Sequence, residues 1–544
     1  YKTMDIDFME SVWWVFKRLW DKGLIYEGVK VVPFSWRVST PLSNFEANLN
    51  YKDIQDPSVT LRFKVNGEEN LYLLAWTTTP WTLPSNMGLC AGPKLLYSKI
   101  RHKNSGDCYI ITKNRIDTYF EEGSFEVLTE MQGTDLKGMT YEPLFDFAKS
   151  RVDTINTWAL QLDDYISDES GTGIVHLACF GEDDVRIFQR ENIPIFDPVD
   201  DEGNFMDYMG FIAGMNIKDA DKAIVQRLKE EGKMFLHETV QHSYPFCWRT
   251  DTPLIYKPIS TWFVNVEAIK ERMVKHNRTV HWVPGHIRDG RFGKWLENAR
   301  DWAISRNRFW GTPLPVWKSE DGDILCIGNV AELEEMTGEK IDDLHKHFVD
   351  PLVIKRNGKT YRRVSEVLDC WFESGSMPYA QEHYPFENKE RFEANFPADF
   401  ICEGLDQTRG WFYTLAVLGC ALFDTPAFKN CVVNGLILAE DGKKMSKRLK
   451  NYPDPNQMLN KYGADAVRLY MLNSPAVRGE DLRFSEKGLI ETTRQQLLPL
   501  WNALVFLSTY AKIDGWEPTP ENLSVKNNNP MDRWIMSRLQ KLIS

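Results

Sequence analysis

The chain has 544 residues, of which 43% are hydrophobic and 26% charged, so it can form several domains with large cores. A net charge of −12 excludes a uniformly basic nucleic-acid coat, although local basic patches remain compatible with RNA binding. Its nine cysteines include no Cys-x-x-Cys pair, which argues against a zinc ribbon and favours a reducing compartment, and no apolar run is long enough to predict a membrane span.

The predicted elements change character along the chain. Residues 1–53 open with an amphipathic helix that is unlike a signal peptide and continue in short strands and turns. Residues 54–245 are rich in short strands and turn residues and predict a β-rich domain with a few helices, one of them in KDADKAIVQRLKEEG. Residues 246–450 alternate strands and helices, as α/β folds do. After a segment at 451–489, residues 490–544 have the apolar spacing of helices.

A row of three hydroxyls stands between two tryptophans in WTTTPWT. It follows LYLLA, which is typical of a short buried strand because it is apolar and comes after the turn-like NGEEN. Thr77, Thr78 and Thr79 can simply prolong that strand to an edge that ends at Pro80. They can also form a row of hydroxyl donors and acceptors that faces a ligand. The segment alone does not decide between these interpretations.

A basic loop follows the apolar run CVVNGLILAE. Lys443, Lys444, Lys447, Arg448 and Lys450 lie within a stretch of eight positions. Cations on a loop after a strand are well placed to meet phosphates at the carboxyl end of a sheet. A solvated charged loop is the alternative.

Arginines and tryptophans alternate in WAISRNRFWG, where Arg306 and Arg308 lie between Trp302 and Trp310. Such a mixture can stack on bases or riboses. It can equally form a packed arginine–aromatic cluster inside the fold, and both readings stay open.

The order Lys-Met-Ser-Lys resembles the signature loop of the class I aminoacyl-tRNA synthetases, with Arg448 in place of the usual final Ser. The resemblance extends over nearly the whole chain. It narrows to the isoleucine branch of the family because NFEANLNYK and TTTPWT match that branch. The form GEDD and the lack of Cys-x-x-Cys pairs resemble its eukaryotic cytosolic type. The matching segments, in family order, are PLSNFEANLNYKD, TTTPWTLPSN, DYISDESGTGIVH, WAISRNRFWGTPLP, VLDCWFESGS, ADFICEGLDQTRGWFYTL, KKMSKR and YGADAVRLYML.

The resemblance implies an α/β fold. Its parts would be a Rossmann-like catalytic domain, an inserted β-rich editing domain, a stem-contact region at 451–489 and a truncated α-helical anticodon-binding domain. It implies ATP-dependent activation of isoleucine and transfer to tRNA(Ile) in the cytoplasm, with Mg²⁺ accompanying ATP and with neither protein-bound zinc nor a membrane. Assembly with other synthetases stays open. The family's His-x-Gly-His motif is absent, so we expect it upstream of Tyr1 and expect the chain alone to activate isoleucine poorly.

The resemblance assigns the ATP-binding loop residue by residue. Lys447 would sit on the ATP phosphates in the transition state and Lys444 would assist, as the two catalytic cations. The loop itself comprises Lys444, Met445, Ser446, Lys447 and Arg448.

The same comparison assigns an adenylate and amino-acid pocket. Glu403 would contact the aminoacyl-adenylate, since a carboxylate suits an ammonium group or ribose hydroxyls. Trp371 and Trp411 match the aromatic side chains that line the isoleucine pocket, although ordinary core packing is the alternative for either. The residues expected around Glu403 are Gly404, Asp406 and Gln407.

A pocket shaped for isoleucine cannot strongly reject valine. One missing methylene is worth only ~1–3 kcal/mol, a magnitude known from enzymes of this type and not obtained from this chain. The family therefore has a second, hydrolytic site, and WTTTPWT resembles one of its walls. Thr77, Thr78 and Thr79 would bind the terminal adenosine and position water, and Trp81 and Asn86 would complete that wall.

The segment GTGIVHLACFGEDD resembles the other wall. His176 would meet the aminoacyl side chain and Asp184 would hold the α-ammonium group. HLACFG is one residue shorter than the corresponding family segment and lacks the proline of that segment. Asp184 is therefore assigned by aligning GEDD from its C-terminal end. Cys179 could be read as a nucleophile, but the sequence indicates no partner for it.

Two further functions stay open. A sister enzyme for valine or leucine is disfavoured by TTTPWT and NFEANLNYK. A non-catalytic tRNA-binding or scaffold protein derived from the family is disfavoured by Lys-Met-Ser-Lys, Glu403 and His176, while the absent first motif favours it.

Overall fold

The computed structural model describes residues 1–445, 450–520 and 529–544, apart from the side chain of Phe45. The chain forms two compact units. The first comprises Tyr1–Ile401 and Asp406–Cys431, and the second comprises Cys402–Leu405 and Val432–Ser544.

A six-stranded sheet supports the β-rich part of the first unit. Val59, Leu61 and Phe63 alternate along one strand and are buried on the same face, which is the pattern of a sheet with one face on a core. The predicted strand LYLLAW is confirmed and ends at Thr77, opposite Val59. The strands, in spatial order, are Met234–Pro245, Tyr51–Lys64, Leu71–Thr77, Cys108–Thr112, Leu96–His102 and Phe125–Gln132.

A smaller sheet packs into the same core and carries His176. The strand Gly88–Ala91 pairs antiparallel with Ile174–Leu177 and parallel with Leu160–Leu162, so that His176 lies opposite Leu89. The helix predicted in KDADKAIVQRLKEEG is confirmed. The helices around these two sheets are Ile116–Tyr119, Glu182–Glu191 and Ile217–Glu230, and the 3₁₀ turns are Pro80–Ser85, Lys113–Arg115, Gly133–Leu136 and Gly210–Ile212.

The remaining sheets of the first unit are small. Two of them have four strands, which in spatial order are Trp302–Ala303, Ile255–Val264, Ile25–Ser35 and Thr40–Pro41 in one sheet, and Ile324–Cys326, Val316–Ser319, Lys359–Arg363 and Val353–Arg356 in the other. A two-stranded sheet pairs Ser305–Arg306 with Val367–Leu368. A three-stranded sheet has the order His281–Val283, Phe428–Asn434 and Ala398–Gly404, and the last residues of its second and third strands belong to the second unit. The predicted alternation of strands and helices holds only in part, because four strands follow one another from Trp302 to Cys326 and three from Val353 to Leu368.

Helices cover these sheets. The opening helix Ile6–Asp21 is confirmed, and its buried face includes Val12, Trp13 and Phe16. The others are Asn44–Ala47, Lys270–Asn277, Gly293–Glu297, Val330–Thr337, Lys346–Val349, Cys370–Gly375, Met377–Ala380, Lys389–Asn395 and Trp411–Phe423, with a π turn at Arg288–Phe292 and a 3₁₀ turn at Leu405–Arg409.

The second unit is mainly helical. Among its described residues, the short strands Ile437–Leu438 and Leu482–Arg483 pair in parallel. The helix predicted from the 3.6-residue spacing after residue 490 is confirmed. The helices are Pro455–Tyr462, Ala464–Leu472, Glu486–Thr492, Leu498–Ile513 and Pro530–Ile543, with a 3₁₀ turn at Pro475–Arg478 and a π turn at Thr493–Leu497. Across the described ranges of both units, no helix has the length and apolar character needed to cross a bilayer.

A buried arginine ties together three segments of the first unit. The Arg306 guanidinium donates to Glu46 Oε2 at 2.6 Å and to Asp369 Oδ2 at 2.8 Å, and it also donates to the Ala303 carbonyl at 2.9 Å. All three charged residues are less than 7% exposed. Of the two readings of WAISRNRFWG, stacking on RNA is therefore wrong for Arg306, whose charge is needed inside the fold.

Each carboxylate of this cluster also holds its own segment. Glu46 Oε2 accepts from the Ser43 amide at 2.8 Å and from the Ser43 hydroxyl at 2.7 Å, closing a capping box. Asp369 accepts from the Trp371 amide at 3.1 Å and from the Trp302 indole at 3.1 Å. The three segments therefore share one buried polar network.

One guanidinium serves two carboxyl groups, and their pKa values diverge. Burial raises the pKa of Asp369 to about 7 despite the opposing effect of Arg306. Burial acts in the same direction on Glu46, but Arg306 and Ser43 outweigh it and hold the pKa of Glu46 below its usual value. Arg306 and Ser43 therefore favour the charged form of Glu46, whereas burial disfavours the charged form of Asp369.

We expect Arg306→Met to lower the free energy of unfolding of the first unit by roughly 3–5 kcal/mol, because two buried carboxyl groups lose their cation. Urea unfolding followed by tryptophan fluorescence measures this loss. Arg308→Met is the matched control, since Arg308 is half-buried and donates to the Val38 carbonyl at 3.1 Å; its loss should be about 0.5–1.5 kcal/mol. Equal losses in the two variants would contradict a structural role for the buried cluster.

Candidate functional site

The threonine row lies where a strand turns into a 3₁₀ helix. Thr77 ends the strand Leu71–Thr77, and Thr79 immediately precedes the helix Pro80–Ser85. Thr77 Oγ1 and Thr79 Oγ1 are 3.2 Å apart, and Thr79 Oγ1 lies 3.4 Å from Thr82 Oγ1. Thr77 and Thr79 therefore belong to a connected chain of hydroxyl groups, which also includes Thr82, a residue that the sequence did not single out.

His176 continues this hydroxyl chain. Its Nε2 lies 3.0 Å from Thr82 Oγ1, and Thr82 Oγ1 donates to the Thr79 carbonyl at 2.8 Å. Because that hydroxyl proton is already used, Thr82 can only accept from His176, which assigns the ring proton to Nε2. The Nδ1 atom is then an acceptor, and it is buried without a hydrogen-bond partner in the described part of the chain. Burial lowers the pKa of His176 to about 4, so the ring is neutral at physiological pH.

Asp184 lies in the first turn of the helix Glu182–Glu191 and reaches back toward His176's strand. Its carboxylate accepts from the Ala178 amide at 3.1 Å and from the Tyr165 hydroxyl at 3.3 Å. A β-carbon at Gly181 would lie 2.7 Å from Asp184 Cγ, so this approach requires glycine. Burial raises the pKa of Asp184 to about 7, with the Ala178 and Tyr165 hydrogen bonds opposing it.

The Asp184 carboxyl group is not neutralised by the arginines of its own helix. The two arginines on its helix, Arg186 and Arg190, both bind Asp163, at 2.9 and 2.7 Å. None of the ion pairs among the described residues uses Asp184. The neighbouring Asp183 is exposed and pairs with Arg186 at 3.0 Å. Of the two aspartates in GEDD, Asp184 is thus the one directed toward the preceding strand.

The two predicted walls meet through Trp81. Its ring is buried, with its centroid 4.6 Å from that of Phe180 in the other segment. Asn86 behaves differently, because its side chain is used internally: Nδ2 donates to the Gly88 carbonyl and Oδ1 accepts from Tyr141, each at 2.8 Å. The structure therefore links Thr77, Thr79 and His176 through hydroxyl groups and links Trp81 to the His176 segment through Phe180. Asp184 is bound to the Ala178 amide, two residues after His176. Thr78 is half-buried, and the Asn86 side chain is used inside the fold.

Cys179 is fully buried and donates to the Phe196 carbonyl at 3.1 Å. Burial raises the pKa of its thiol well above the usual value. A buried thiol with a raised pKa is a poor nucleophile. The geometry gives Cys179 a packing role.

The second group of predicted residues is assembled between two helices of the first unit. Trp411 donates its indole N–H to the Ser374 carbonyl at 3.0 Å, and its backbone amide donates to Gln407 Oε1 at 3.0 Å. Gln407 in turn donates to Asp406 at 3.0 Å. A β-carbon at Gly410 would lie 3.1 Å from the Trp371 ring, so the two tryptophans are held close to one glycine-containing turn. Both rings are half-buried and line a surface.

The other predicted nucleotide-binding residues belong to the second unit. Glu403 is exposed and Gly404 ends the strand Ala398–Gly404. Lys444 follows a tight turn, and its carbonyl accepts from Asn451 at 3.1 Å. Met445 is described next to it, whereas Ser446, Lys447 and Arg448 lie outside the described residues.

One trio of potential metal ligands lies away from these groups. The ligand atoms of His276, Cys420 and Asp424 lie within 4.8 Å of one another. Asp424 is already bound by Arg272 at 3.0 Å, and burial raises the pKa of Cys420 to about 11. A cation would have to displace the arginine and deprotonate the thiol, so the donor set fits a metal poorly.

The family model "tRNA synthetases class I (I, L, M and V)" matches residues 1–484. The chain belongs to this family. The isoleucine–tRNA ligase of Chlamydia trachomatis serovar L2 (strain 434/Bu) is 55% identical over 546 residues, which cover all of this chain and 52% of that protein. The isoleucine–tRNA ligase of Protochlamydia amoebophila is 55% identical, with the same coverage. The chain thus spans about half the length of these relatives.

Among solved structures, the ternary complex of Agrobacterium radiobacter K84 agnB2 LeuRS with tRNA and LeuAMS aligns at a TM-score of 0.38 and 16% identity, over 90% of this chain and 59% of that one. That score is too low for an argument. The expectation of a eukaryotic cytosolic type is wrong, because the similar isoleucine enzymes are chlamydial. The four residues GEDD and the absence of one cysteine motif are too little sequence to distinguish the eukaryotic cytosolic type from the bacterial type.

Several site residues were not predicted from sequence. Thr82 lies inside WTTTPWT, and its spacing of three from Thr79 on a helical turn is the only local signal for it. Tyr165 lies in the matched segment DYISDESGTGIVH, but nothing local shows that it reaches Asp184.

We expect the strand Ile174–Leu177 to lose stability as the pH falls from about 6.5 to about 4. The unfolded strand takes up a proton on His176 below about 6.5, whereas the folded ring does so only near 4, so folding is weakened by about 3 kcal/mol across this range. Native-state hydrogen exchange on this strand measures the change, corrected for intrinsic exchange rates. His176→Gln keeps a donor for Thr82 but does not titrate. An identical pH dependence in both proteins would show that His176 is not buried in its neutral form.

Proposed function

We propose that this chain is part of an isoleucine–tRNA ligase of the cytoplasm. That enzyme would activate isoleucine with ATP and Mg²⁺, transfer it to tRNA(Ile) and hydrolyse mischarged Val-tRNA(Ile). The observation that carries the proposal is the hydroxyl chain from Thr77 to His176, together with the Asp184 carboxyl group, which is bound two residues after His176 and has no cationic partner among the described residues. The 55% identity to isoleucine–tRNA ligases over the whole chain supports it.

The editing reaction adds water to the ester carbonyl of Val-tRNA(Ile) and releases valine and the free terminal hydroxyl of the tRNA. Ionised Asp184 would bind the α-ammonium group of the valyl ester by a charge-assisted hydrogen bond. The hydroxyl groups of Thr77 and Thr79 would bind the terminal ribose and hold the attacking water, which is a matter of orientation.

His176 is suited to measuring the size of the substrate. A ring with a pKa of about 4 is a weak base at neutral pH, so it contributes little as a proton acceptor. Its bond to Thr82 at 3.0 Å fixes the ring, and a fixed ring can exclude the additional methylene of isoleucine. This is the logic of a second sieve, which acts on the smaller amino acid that the first pocket fails to reject.

The activation reaction rests on a different set of residues. Trp371 and Trp411 would form the apolar walls of the isoleucine pocket, and Glu403, Gly404, Asp406 and Gln407 would surround the adenylate. Lys444, with Met445 beside it, would approach the ATP phosphates together with Lys447 of the signature loop. We propose these roles from the family motifs, since little covalent chemistry is needed beyond positioning and charge stabilisation.

We expect the chain to hydrolyse Val-tRNA(Ile) and to spare Ile-tRNA(Ile). Asp184→Ala should lower kcat/KM for the valyl ester roughly 10–100-fold, the effect of losing a charged hydrogen bond of about 1.5–3 kcal/mol. Release of radiolabelled amino acid from each ester measures both rates.

Asp183→Ala is the control, because Asp183 is the adjacent aspartate and pairs with Arg186 on the surface. It should keep the activity of the unchanged chain. Hydrolysis of neither ester by a folded chain that binds tRNA(Ile) would overturn the editing proposal and favour the non-catalytic, tRNA-binding interpretation.

The pH dependence should identify Asp184 as the ammonium-binding group. Below a pKa of about 7 its carboxyl is protonated and loses its attraction for a cation, so kcat/KM for Val-tRNA(Ile) should rise between pH 5.5 and 7.5. His176 does not titrate in this range. After subtraction of uncatalysed hydrolysis, Asp184→Asn should lack this rise. A rise of the same size in Asp184→Asn would assign it to another group.

A further inference from the structure

Thr79 occupies the N-cap position of a helical turn, where the hydroxyl group of a threonine normally accepts a hydrogen bond from a backbone amide. It is the residue before the 3₁₀ helix Pro80–Ser85, and a threonine there usually turns its hydroxyl to an unpaired amide of the first turn. Here the Thr79 side chain makes no such cap. Its hydroxyl instead lies between those of Thr77 and Thr82, at 3.2 and 3.4 Å.

The amide that needs a cap is satisfied from another element. Pro80 has no N–H, and the Thr82 amide donates to the Thr79 carbonyl at 3.0 Å, which leaves the Trp81 amide. That amide donates to Asp221 Oδ1 at 2.8 Å. Asp221 lies 140 positions further along the chain, on the helix Ile217–Glu230.

Asp221 is not required by its own helix. The side chain of Asn216 caps that helix by accepting from the Lys218 amide at 3.2 Å. Asp221 is nevertheless half-buried, and burial raises the pKa of its carboxyl to about 7. Placing a carboxyl group there costs free energy, and its bond to Trp81 offsets part of that cost.

Trp81 is thereby held on both sides. Asp221 binds its backbone, and Phe180 of the His176 segment packs against its ring at 4.6 Å. The backbone on which Thr79 and Thr82 stand is fixed between these two contacts.

We propose that Asp221 is a positioning residue for the hydrolytic site, which caps the Pro80–Ser85 turn from outside and so leaves the Thr79 hydroxyl free for the hydroxyl chain that ends at His176. This inference rests on the proposed editing function. Without Asp221, the Thr79 hydroxyl is the nearest replacement cap for the Trp81 amide, and turning toward it takes the hydroxyl out of the chain.

The test uses the whole 544-residue chain and measures hydrolysis of Val-tRNA(Ile). Asp221→Ala should lower kcat roughly 10–100-fold while KM changes less than about threefold, because Asp184 still binds the ammonium group. Asp221→Asn keeps an oxygen acceptor and should restore kcat to within about threefold of the unchanged chain. Asp219→Ala, which removes an exposed carboxylate from the first turn of the same helix, should have no effect on either parameter.

A double-mutant cycle tests the role of Thr79. If Asp221→Ala acts by diverting the Thr79 hydroxyl, Thr79→Ala should lower kcat by itself but cause less than about a twofold further loss in the Asp221→Ala background. Independent losses that multiply would overturn the proposal.

The remaining outcomes separate the positioning role of Asp221 from the editing function itself. If the unchanged chain hydrolyses Val-tRNA(Ile) and the Asp221→Ala variant is folded and equally active, only the positioning role of Asp221 is overturned. If Asp221→Ala fails to fold, the Asp221→Asn variant tests the positioning role. A near-normal kcat in that variant supports a cap that requires only an oxygen acceptor. A large loss of kcat in folded Asp221→Asn protein contradicts the positioning role. An unchanged chain that does not hydrolyse the ester would overturn the editing function, and the inference with it.

Discussion

The buried contact of Arg306 with Glu46 and Asp369 is the constraint on which the arrangement of the first unit depends. A guanidinium at 6% exposure cannot be left without partners, because desolvating an unpaired charge costs several kcal/mol. The partners come from positions 46 and 369, on either side of the β-rich part of the chain. Any packing that separated these segments would leave charges buried and unpaired, so the cluster favours one arrangement over its competitors.

The same cluster reaches toward the aromatic pair. Asp369 accepts from the Trp371 amide and so fixes the start of the helix Cys370–Gly375, which carries Trp371 and, through the Ser374 carbonyl, binds the Trp411 indole. Arg306 thus acts on the proposed amino-acid pocket without touching it. A sequence motif such as SRNRFWG can therefore be retained for internal structure while it resembles a surface for nucleic acid.

In the group formed by the threonines, His176 and Asp184, by contrast, some buried polar groups lack partners among the described residues. Arg306 is saturated with partners, whereas His176 Nδ1 and the Asp184 charge lack counterparts within the described ranges. Buried groups that lack partners are costly, and proteins retain them where a ligand completes the bonds. Burial raises the pKa of Asp184 to about 7, and binding an ammonium group would favour its charged form again.

The sequence predicted local structure well and contacts poorly. The strand LYLLAW, the helix in KDADKAIVQRLKEEG and the helix after residue 490 followed from periodicity, which is a property of neighbouring residues. The hydrogen bonds of Asp221 to Trp81 and of Arg306 to Glu46 join residues 140 and 260 positions apart, and no periodicity encodes them. Thr82 was missed for a smaller reason: the sequence predicts a strand that ends at Pro80 and no helical turn after it, and that turn is what brings Thr82 beside Thr79.

The segment between His176 and Asp184 is held by contacts that the sequence does not show. The resemblance predicts that this segment is one residue short of the family form and lacks its proline, and that stays a prediction. In the structure Cys179 turns inward to the Phe196 carbonyl, and Gly181 lets the Asp184 carboxylate pass close to the backbone. Asp184 then reaches the Ala178 amide from the first turn of its helix, at 3.1 Å. The position of the Asp184 carboxyl group is therefore set by a helix start that binds back to the end of the preceding strand.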